Sequence, residues 1–206
     1  LSEHTTLRVG GPARYFFVAH MLDDIRRAAL FAEEKNLPLF VLGGGSNILF
    51  SDEGFPGVVV KNELRGIVYD SDDEGILVHA NGGVEWDALV ADAVSRGLWG
   101  LENLSGIPGT VGAVPIQNIG AYGAEAKDTV MFVDVYDTRE KRMRRFTNED
   151  CAFTYRDSMF KRGILGRFII TKVAFRLSQK GVPNISYADL AERFADSLPR
   201  HPEEIR

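Results

Sequence analysis

The sequence predicts an α+β protein of two lobes, the first of which is of the α/β kind. Its 206 residues are 45% hydrophobic and 26% charged, which is typical of a globular chain that buries a core. Strand and helix patterns alternate over the first sixty or so residues, whereas from Leu64 several strand patterns surround one helix and a glycine-rich stretch. We therefore predict a first lobe at residues 1–62, a second lobe at residues 63–180, and a linker at residues 181–206 that begins a further domain.

The first lobe is predicted to contain three strands and one helix. Aromatic and β-branched residues predict a buried strand at residues 15–19, and short apolar runs predict two more at residues 37–42 and 57–61. Asp23 and Asp24 precede apolar residues at helical spacing, so a helix is predicted to run to about Lys35. A strand, a helix and a strand in succession indicate a parallel pair joined by a crossover.

The second lobe is predicted to be larger and richer in strands. Its clearest element is a helix at residues 85–96, which has an apolar stripe and ends at Gly97. An acidic turn at residues 70–74 separates the first two strands, and the glycine-rich residues 97–123 show no regular period. Strands are predicted at residues 66–69, 75–80, 130–138, 142–146 and 167–177.

The end of the chain carries two helix-start patterns. Residues 186–189, Ser-Tyr-Ala-Asp, have the form of a capping box and predict a helix through about Ala195. His201 and Pro202 begin a second pattern, but the chain stops after barely a turn. Because so short a helix is not stable alone, we expect the natural chain to continue beyond Arg206.

Composition and charge argue against several kinds of function. The formal net charge is −5 and the basic residues are not clustered, so we expect no nucleic-acid or membrane partner. No apolar run reaches the ~20 residues of a membrane-spanning helix. The single cysteine, Cys151, has no intrachain disulfide partner and suits a reducing cytoplasm. No metal is expected, because the four histidines lack ligand spacing; they are His4, His20, His79 and His201.

The first candidate binding segment is residues 43–47, Gly-Gly-Gly-Ser-Asn, which directly follows a predicted strand. Three consecutive glycines let the backbone adopt positive φ and approach a ligand closely. Consecutive N–H groups in such a turn form an anion-binding concavity, to which Ser46 and Asn47 add side-chain donors. The spacing matches neither the dinucleotide fingerprint nor the Walker loop. A glycine turn between two strands is the alternative interpretation.

The second candidate segment is the loop at residues 106–123. A loop of this length inside a compact domain is usually functional. Its small residues let backbone amides lie against a flat ring system, and Gln117, Asn118 and Tyr122 offer polar groups to a ligand. The alternative is a structural loop packed under the sheet.

The third candidate segment is residues 155–158, Tyr-Arg-Asp-Ser. The fixed charge and planar donors of Arg156 suit the stabilisation of a developing oxyanion. The alternative is a surface arginine paired with Asp157, and the residues alone favour that alternative.

Together these segments resemble the UDP-N-acetylenolpyruvoylglucosamine reductase family, within the wider group of two-lobed FAD domains related to vanillyl-alcohol oxidase. The resemblance covers about residues 5–190, in the family's order. Its most specific part is Ile-Pro-Gly-Thr-Val-Gly-Ala at residues 107–113, then Gln-Asn-Ile-Gly-Ala-Tyr-Gly at residues 117–123 and the later Tyr-Arg-Asp-Ser. The other matching segments are residues 5–13, 42–47 and 100–102.

The resemblance implies that FAD is held non-covalently between the lobes, with its pyrophosphate at residues 43–47. It implies NADPH as co-substrate and the reduction of UDP-N-acetylglucosamine enolpyruvate to UDP-N-acetylmuramate for peptidoglycan, in a cytoplasmic monomer. Arg156 matches the catalytic arginine that stabilises the enolate, and Tyr122, Tyr155 and Tyr187 match positions that contact substrate. The residues expected to contact FAD are Gly43, Gly44, Gly45, Ser46, Asn47, Ile107, Pro108, Gly109, Thr110, Gly112, Ala113, Gln117, Asn118, Gly120 and Gly123.

The sequence departs from the family pattern in one respect. The family protonates the enolate with a serine in a Gly-Ser-Phe-Phe motif and supports the site with a glutamate, both in a third domain. That motif is absent from these 206 residues, so we expect this chain alone to bind FAD and to form little or no product. The alternatives are another FAD oxidoreductase of the same fold and a flavin-binding module without turnover.

Overall fold

The computed structural model of the chain describes residues 1–163 and 165–206. Within these residues the strands form a three-stranded parallel sheet, a five-stranded antiparallel sheet and a two-stranded hairpin. The parallel sheet is built by the N-terminal part of the chain and the antiparallel sheet by the rest. The glycine-rich segments lie between these two bodies, and this arrangement positions the site.

The first lobe contains β1 (Ala13–Ala19), α1 (Leu22–Glu34), β2 (Leu39–Leu42) and β3 (Phe55–Asn62). The strands are parallel and their order is β1-β3-β2. The prediction that the strands before and after the helix are paired is therefore wrong, since β3 lies between them.

The composition of β3 explains its central place. Val58, Val59 and Val60 are fully buried, and a central strand of a parallel sheet is covered on both faces. The strands on either side are also largely apolar but are less buried: only Ala19 of β1 and only Leu39 and Leu42 of β2 are buried. The strand with the longest run of buried residues thus takes the position with the least access to water.

The second lobe is formed around the antiparallel sheet, whose order is β4-β5-β10-β8-β9. The predicted acidic turn is shorter than expected, because residues 70–72 pair with residues 75–77 and leave only two residues in the turn. The strands of this lobe are β4 (Ile67–Asp72), β5 (Gly75–Asn81), β6 (Gly120–Ala121), β7 (Ala124–Glu125), β8 (Val130–Asp137), β9 (Arg142–Thr147) and β10 (Phe168–Leu177).

Helix α2 (Trp86–Ser95) forms as predicted and packs on this sheet, with the Trp86 ring 5.7 Å from the ring of Phe175. Gly97 ends the helix with a φ of 69°. Its N–H donates to Val94 O at 2.8 Å, and the N–H of Leu98 donates to Ala93 O at 3.0 Å. These are the two hydrogen bonds of a Schellman motif, in which glycine is favoured for its left-handed conformation.

The glycine-rich residues 97–123 contain two short 3-10 turns, Glu102–Leu104 and Val111–Ala113, and then enter the β6–β7 hairpin. A short helix, α3 (Met159–Arg162), follows later, and the Ser158 hydroxyl at its N-cap accepts the N–H groups of the first turn. These turns are too short to show a hydrophobic period, which explains why the sequence predicted no regular structure here.

The C-terminal segment differs from the prediction. Helix α4 (Ala188–Arg193) is shorter than expected, and no side chain caps it. The Ser186 hydroxyl donates instead to Asn184 Oδ1 at 2.7 Å, so the predicted capping box is wrong. Pro202–Glu204 forms a 3-10 turn rather than an α-helical start.

The apolar core joins the two lobes. The largest cluster lies between α2 and the antiparallel sheet, and a second lies between α1 and the parallel sheet. Tyr136 of β8 and Ile169 of β10 belong to the second cluster, so both lobes contribute to it. Among the described residues, no helix combines the length and the apolar character that crossing a membrane would need.

Candidate functional site

Two clefts adjoin the glycine-rich segments. The first, which we call the apolar cleft, has a cavity volume of about 220 Å³ and opens to solvent. Its walls come from the end of β2, from residues 43–48 and from residues 107–119. Both candidate segments with glycines therefore face the same space.

Residues 43–47 form the glycine loop, which leaves the C-terminal end of β2. Gly45 has a φ of 68°, and a Cβ there would overlap the carbonyl oxygen of His4. A Cβ on Gly44 would lie 2.9 Å from the Cα of Gly109. The loop thus needs glycines both for its conformation and for its close approach to the neighbouring loop.

Side chains of the glycine loop connect it to the second segment. The Ser46 hydroxyl donates to Pro108 O at 3.2 Å, and Asn47 Nδ2 donates to Gln117 Oε1 at 3.0 Å. These two hydrogen bonds join parts of the chain that are more than sixty residues apart in sequence. Ser46 and Asn47 therefore brace the cleft as well as lining it.

Several polar groups of the apolar cleft lack a protein partner. Thr110 Oγ1 is buried without a hydrogen bond. Within residues 1–163 and 165–206, the N–H groups of Gly44, Gly45 and Ser46 donate to no protein acceptor. Buried polar groups are nearly always satisfied, so the Thr110 hydroxyl indicates a ligand acceptor beside it. The consecutive N–H groups of the glycine loop fit the anionic oxygens of a diphosphate.

The second space, which we call the tyrosine cleft, lies around the β6–β7 hairpin. Tyr122 and Gly123 form the tip of the hairpin with φ values of 47° and 80°, as a type I′ turn requires. The residues that line this cleft are Gly120, Ala121, Tyr122, Gly123, Ala124, Glu125, Lys127, Asp128, Tyr155, Arg156 and Tyr187.

Arg156 lies in the tyrosine cleft and has a positive φ of 56°. One guanidinium nitrogen donates to Gly120 O at 2.8 Å, and Lys161 Nζ donates to the carbonyl oxygen of Arg156 at 2.9 Å. Asp157 pairs with Arg162 at 3.2 Å. The alternative in which Arg156 pairs with Asp157 is therefore not what the structure shows.

Glu125 and Lys127 form an ion pair beside Arg156. Hydrogen bonding to Lys127 is the main reason that the pKa of the Glu125 carboxyl lies below its usual value, and the charge of Arg156 adds to it. The pKa of Lys127 is raised in turn by its hydrogen bond to Glu125. Both groups are thus charged at neutral pH, and Lys127 offsets a carboxylate that interacts with Arg156.

Aromatic side chains form the mouth of the tyrosine cleft. The rings of Tyr122 and Tyr187 meet edge to face, with centroids 5.4 Å apart. Asn103 Nδ2 donates to Tyr122 O at 2.9 Å and to Asn184 O at 2.8 Å, and Asn184 Nδ2 donates to Gly123 O at 3.0 Å. The C-terminal segment is tied to the hairpin by these amides.

The structure places all but two of the predicted site residues in one of the two clefts. The tyrosine cleft receives Gly120, Tyr122, Gly123, Tyr155, Arg156 and Tyr187. The side chain of Asn118 is buried and bonded to Glu125 and to Thr154 O, and Gly112 packs on Gly82. Neither residue lines the two clefts. The apolar cleft receives Gly43, Gly44, Gly45, Ser46, Asn47, Ile107, Pro108, Gly109, Thr110, Ala113 and Gln117.

Sequence analysis missed Glu125, Lys127 and the two bridging asparagines, Asn103 and Asn184. Glu125 follows the Tyr-Gly turn by two residues, so recognising that dipeptide as a hairpin tip would have placed it beside the cleft. The asparagines carry no such local signal. In the described part of the chain, no group of three or more His, Cys, Asp and Glu side chains has an arrangement that would hold a metal.

The fold and the two clefts define a two-lobed protein that holds an elongated, phosphate-bearing cofactor between its sheets. The chain belongs to the FAD-binding domain family, whose model, described as FAD binding domain, matches residues 13–144. The predicted cofactor, FAD, is thereby confirmed.

Curated relatives confirm the resemblance that the motifs predicted. The chain is 42% identical to the UDP-N-acetylenolpyruvoylglucosamine reductase of Thermobifida fusca (strain YX), over 93% of the chain and 54% of the relative. It is 40% identical to the reductase of Bdellovibrio bacteriovorus, over 100% of the chain and 61% of the relative. The chain spans about half the length of the curated relatives it matches.

Solved structures confirm the predicted fold class. The UDP-N-acetylenolpyruvylglucosamine reductase of Thermus caldophilus is 29% identical, with a TM-score of 0.69 over 95% of this chain and 65% of that one. A VAO-type flavoprotein from Myceliophthora thermophila C1 has a TM-score of 0.63 at 15% identity, over 82% of this chain and 32% of that one. The second likeness shows the fold alone.

Proposed function

We propose that the protein is an FAD-dependent reductase that uses NADPH to reduce UDP-N-acetylglucosamine enolpyruvate to UDP-N-acetylmuramate in peptidoglycan synthesis. The observation that carries this proposal is Arg156, a cation in the cleft next to the predicted flavin loop. Apart from its bond to Gly120 O, its guanidinium has no acceptor among the described residues. The names of the relatives, UDP-N-acetylenolpyruvoylglucosamine reductase, support the choice of substrate.

The residues of the apolar cleft fit FAD. The unpaired N–H groups of the glycine loop and the buried Thr110 hydroxyl suit the oxygens of a diphosphate, and the walls around Ile107 and Ile119 suit a flat ring. When bound, FAD supplies hydride transfer between the nicotinamide and the substrate. The protein contributes orientation, exclusion of water and charge.

Arg156 is proposed to stabilise the negative charge that develops on the substrate as its double bond is reduced. A guanidinium stays protonated throughout the working pH range and presents its donors in a plane, so it matches a carboxylate that becomes an enolate. The hydrogen bond to Gly120 O holds the guanidinium in place before the charge appears, and the one from Lys161 holds the backbone carbonyl of Arg156. Such preorganised donors stabilise the transition state more than the ground state.

Tyr122, Tyr155 and Tyr187 are proposed to contact the substrate. All three line the tyrosine cleft and all are exposed, Tyr155 by 79%. For these 206 residues alone we propose FAD binding and flavin reduction by NADPH with little or no product, because the serine motif that the resemblance implies is absent from them. We also propose that the protein works in the cytoplasm and that it is a monomer. Light scattering in solution would check the oligomeric state.

The test compares Arg156→Ala and Arg156→Lys with the unchanged protein, each in a chain as long as those of the relatives. We expect turnover to fall by about 10²- to 10³-fold in Arg156→Ala while bound FAD stays at one per chain. Stopped-flow absorbance measures flavin reduction by NADPH and flavin reoxidation by substrate separately. Only the second step is expected to slow.

Arg145→Ala is the matched control, since Arg145 pairs with Asp134 on the antiparallel sheet and is absent from both clefts. Its turnover is expected to be unchanged. Equal losses of FAD and of turnover in the Arg156 variants would mean that Arg156 is structural. Flavin reduction by NADPH without reoxidation by the enolpyruvyl sugar at full length would favour another FAD oxidoreductase of this fold, and no reduction would favour a flavin-binding module.

A further inference from the structure

Arg156 lies on a tight turn at residues 154–157, which we call the arginine turn. Thr154 and Asp157 pair as an antiparallel bridge, with N–H to O distances of 3.0 and 3.1 Å, and two residues lie between them. The second of the two is Arg156, and its positive φ of 56° is one that such turns usually give to glycine or asparagine. Arginine disfavours this conformation, so the turn needs contacts from elsewhere to persist.

Those contacts come from the loop at residues 107–119, which contributes to the apolar cleft. Before the turn, Asn118 Nδ2 donates to Thr154 O at 3.0 Å. After the turn, the fully buried hydroxyl of Ser158 donates to Ile116 O at 2.7 Å. The chain on both sides of the arginine turn is therefore tied to the same loop.

The side chain of Asn118 is fully committed to such contacts. It is 1% exposed, and its Nδ2 donates to Glu125 Oε2 at 3.0 Å as well as to Thr154 O. Its Oδ1 accepts from the N–H of Lys127 at 2.9 Å. Both amide hydrogens and the amide oxygen thus have partners, and the partners require an amide at this position, since a carboxylate of the same shape has no hydrogens to donate.

We propose that Asn118 is a positioning residue that clamps Thr154 O and thereby fixes where the guanidinium of Arg156 stands relative to the loop at residues 107–119. The side chain of Asn118 lines neither cleft and acts through the turn. This inference rests on the role proposed above for Arg156 and deepens it, because a misplacement of about 1 Å in a reacting site costs as much as about 100-fold in rate.

The first experiment replaces Asn118→Asp in a chain as long as those of the relatives. The change keeps the shape and the acceptor for Lys127 but removes both donated hydrogen bonds. Hydrogen–deuterium exchange reports the arginine turn without any turnover. We expect peptides that cover residues 152–158 to exchange about tenfold faster or more, while β8 keeps its protection. Unchanged exchange at residues 152–158 would overturn the inference.

Stopped-flow absorbance of the same variant separates the two half-reactions. We expect flavin reoxidation by the enolpyruvyl sugar to slow by about 10- to 100-fold, and flavin reduction by NADPH to change by less than about threefold, with FAD still at one per chain. Equal slowing of both half-reactions, or loss of FAD, would mean that Asn118 supports the fold without positioning Arg156.

Asn148→Asp is the matched control. Asn148 Nδ2 also donates to two backbone carbonyl oxygens, those of Lys127 at 2.8 Å and Val130 at 2.6 Å, but its side chain lines neither cleft. We expect this variant to lower the free energy of unfolding and to leave both the exchange at residues 152–158 and the rate of reoxidation unchanged.

A double variant, Asn118→Asp with Glu125→Gln, separates the clamp from general stability. The glutamine amide donates to the introduced carboxylate, so the contact between positions 118 and 125 returns in the reverse direction while Thr154 O stays without a donor. The repulsion between two carboxylates is also removed, so the test remains available where the single variant does not fold. We expect the denaturation midpoint to recover and reoxidation to stay slow. Recovery of both would assign the positioning to Glu125 and overturn the clamp on Thr154.

The two proposals fail in distinguishable ways. Faster exchange at residues 152–158 in a protein whose flavin is not reoxidised by the enolpyruvyl sugar would leave the clamp on the arginine turn standing and refute the proposed function. Turnover of the enolpyruvyl sugar at an unchanged rate in Asn118→Asp would refute the clamp and leave the proposed function standing.

Discussion

The glycine loop and the β6–β7 hairpin both bring backbone close to a cleft, but they do so by different means. In the glycine loop the residues that adopt unusual conformations or close contacts have no side chain, so the backbone itself is the binding surface. In the hairpin, Tyr122 adopts positive φ and still carries a large side chain. Asn118 and Arg156, which flank the hairpin, do the same.

The difference lies in what holds each conformation. A non-glycine residue with positive φ costs of order 1 kcal/mol or more, so the hairpin needs compensating contacts. Asn103 binds Tyr122 O, Arg156 binds Gly120 O, and Asn118 bridges Glu125 and Thr154. The glycine loop therefore depends on residues without a Cβ atom, whereas the hairpin depends on a network of side-chain hydrogen bonds. The two regions should fail in different ways when they are mutated.

The largest effect is expected for Gly45→Ala. The added Cβ would meet the carbonyl oxygen of His4 and would also occupy a left-handed conformation at φ 68°. We expect the free energy of unfolding to fall by about 2–4 kcal/mol and FAD binding to be lost. Chemical denaturation measures the first quantity and flavin absorbance the second.

Gly97→Ala separates the effect of the left-handed conformation from the effect of the steric contact. Gly97 has almost the same φ, 69°, but a Cβ there would meet no atom within 4 Å. Its free energy of unfolding should fall by only about 1 kcal/mol, from conformation alone, with FAD binding intact. Equal losses in the two variants would show that the contact with His4 does not matter, and the account of the glycine loop as a close-packed surface would then be wrong.

The second largest effect is expected for Asn118→Ala, which tests the hairpin network. Asn118 is 1% exposed, and its loss would leave the N–H of Lys127 and Thr154 O without their buried partner. We expect the free energy of unfolding to fall by about 2–3 kcal/mol. Affinity for FAD should fall less than in Gly45→Ala, because the side chain does not line the apolar cleft.

Gln117→Ala is the comparison for that variant. Gln117 is the preceding residue, is only half-buried and faces the apolar cleft, where it accepts from Asn47. Its removal should change the free energy of unfolding by less than about 1 kcal/mol and should weaken FAD binding more than stability. If Gln117→Ala lowered stability more and Asn118→Ala weakened FAD binding more, Gln117 would be the structural residue and Asn118 the ligand contact.

The sequence was a good guide to the glycine loop because its physics is local. Three glycines after an apolar strand indicate a backbone that adopts positive φ or approaches a neighbour closely. The structure places all five residues of the segment in one cleft. The sequence was a poorer guide to the hairpin. Positive φ at Tyr122 and Arg156 and the pairing of Glu125 with Lys127 depend on contacts between distant segments.

The strand order shows the same limit. The sequence located β1, β2 and β3 well, but the placement of β3 between the other two follows from burial on both faces, which is a tertiary property. Ser186 failed as a cap for a similar reason: the helix begins one residue later than predicted, with Tyr187 as its N-cap, and the Ser186 hydroxyl donates to Asn184 Oδ1 in a segment that is tied to the hairpin. Local patterns cannot anticipate which of two polar partners the fold brings closer.

The smallest effect is expected for Glu125→Gln, and it is a pH effect. The pKa of Glu125 is lowered in the folded chain, chiefly by hydrogen bonding to Lys127. A carboxyl with a depressed folded pKa stabilises the fold above its unfolded pKa of about 4.3, and this contribution disappears as pH falls through the folded pKa. At pH 7 the variant should be less stable by about 1 kcal/mol, and in acid below both pKa values the two proteins should converge.

Glu34→Gln provides the reference for this comparison, because Glu34 is exposed at the end of α1 and makes no ion pair in the part of the chain that the structure describes. Its stability relative to the unchanged chain should be nearly the same at both pH values. A constant difference for Glu125→Gln across the same range would mean that the carboxylate contributes by shape and not by charge. In that case Arg156 would face a cleft whose field does not depend on Glu125, and the hairpin network would be one of neutral hydrogen bonds only.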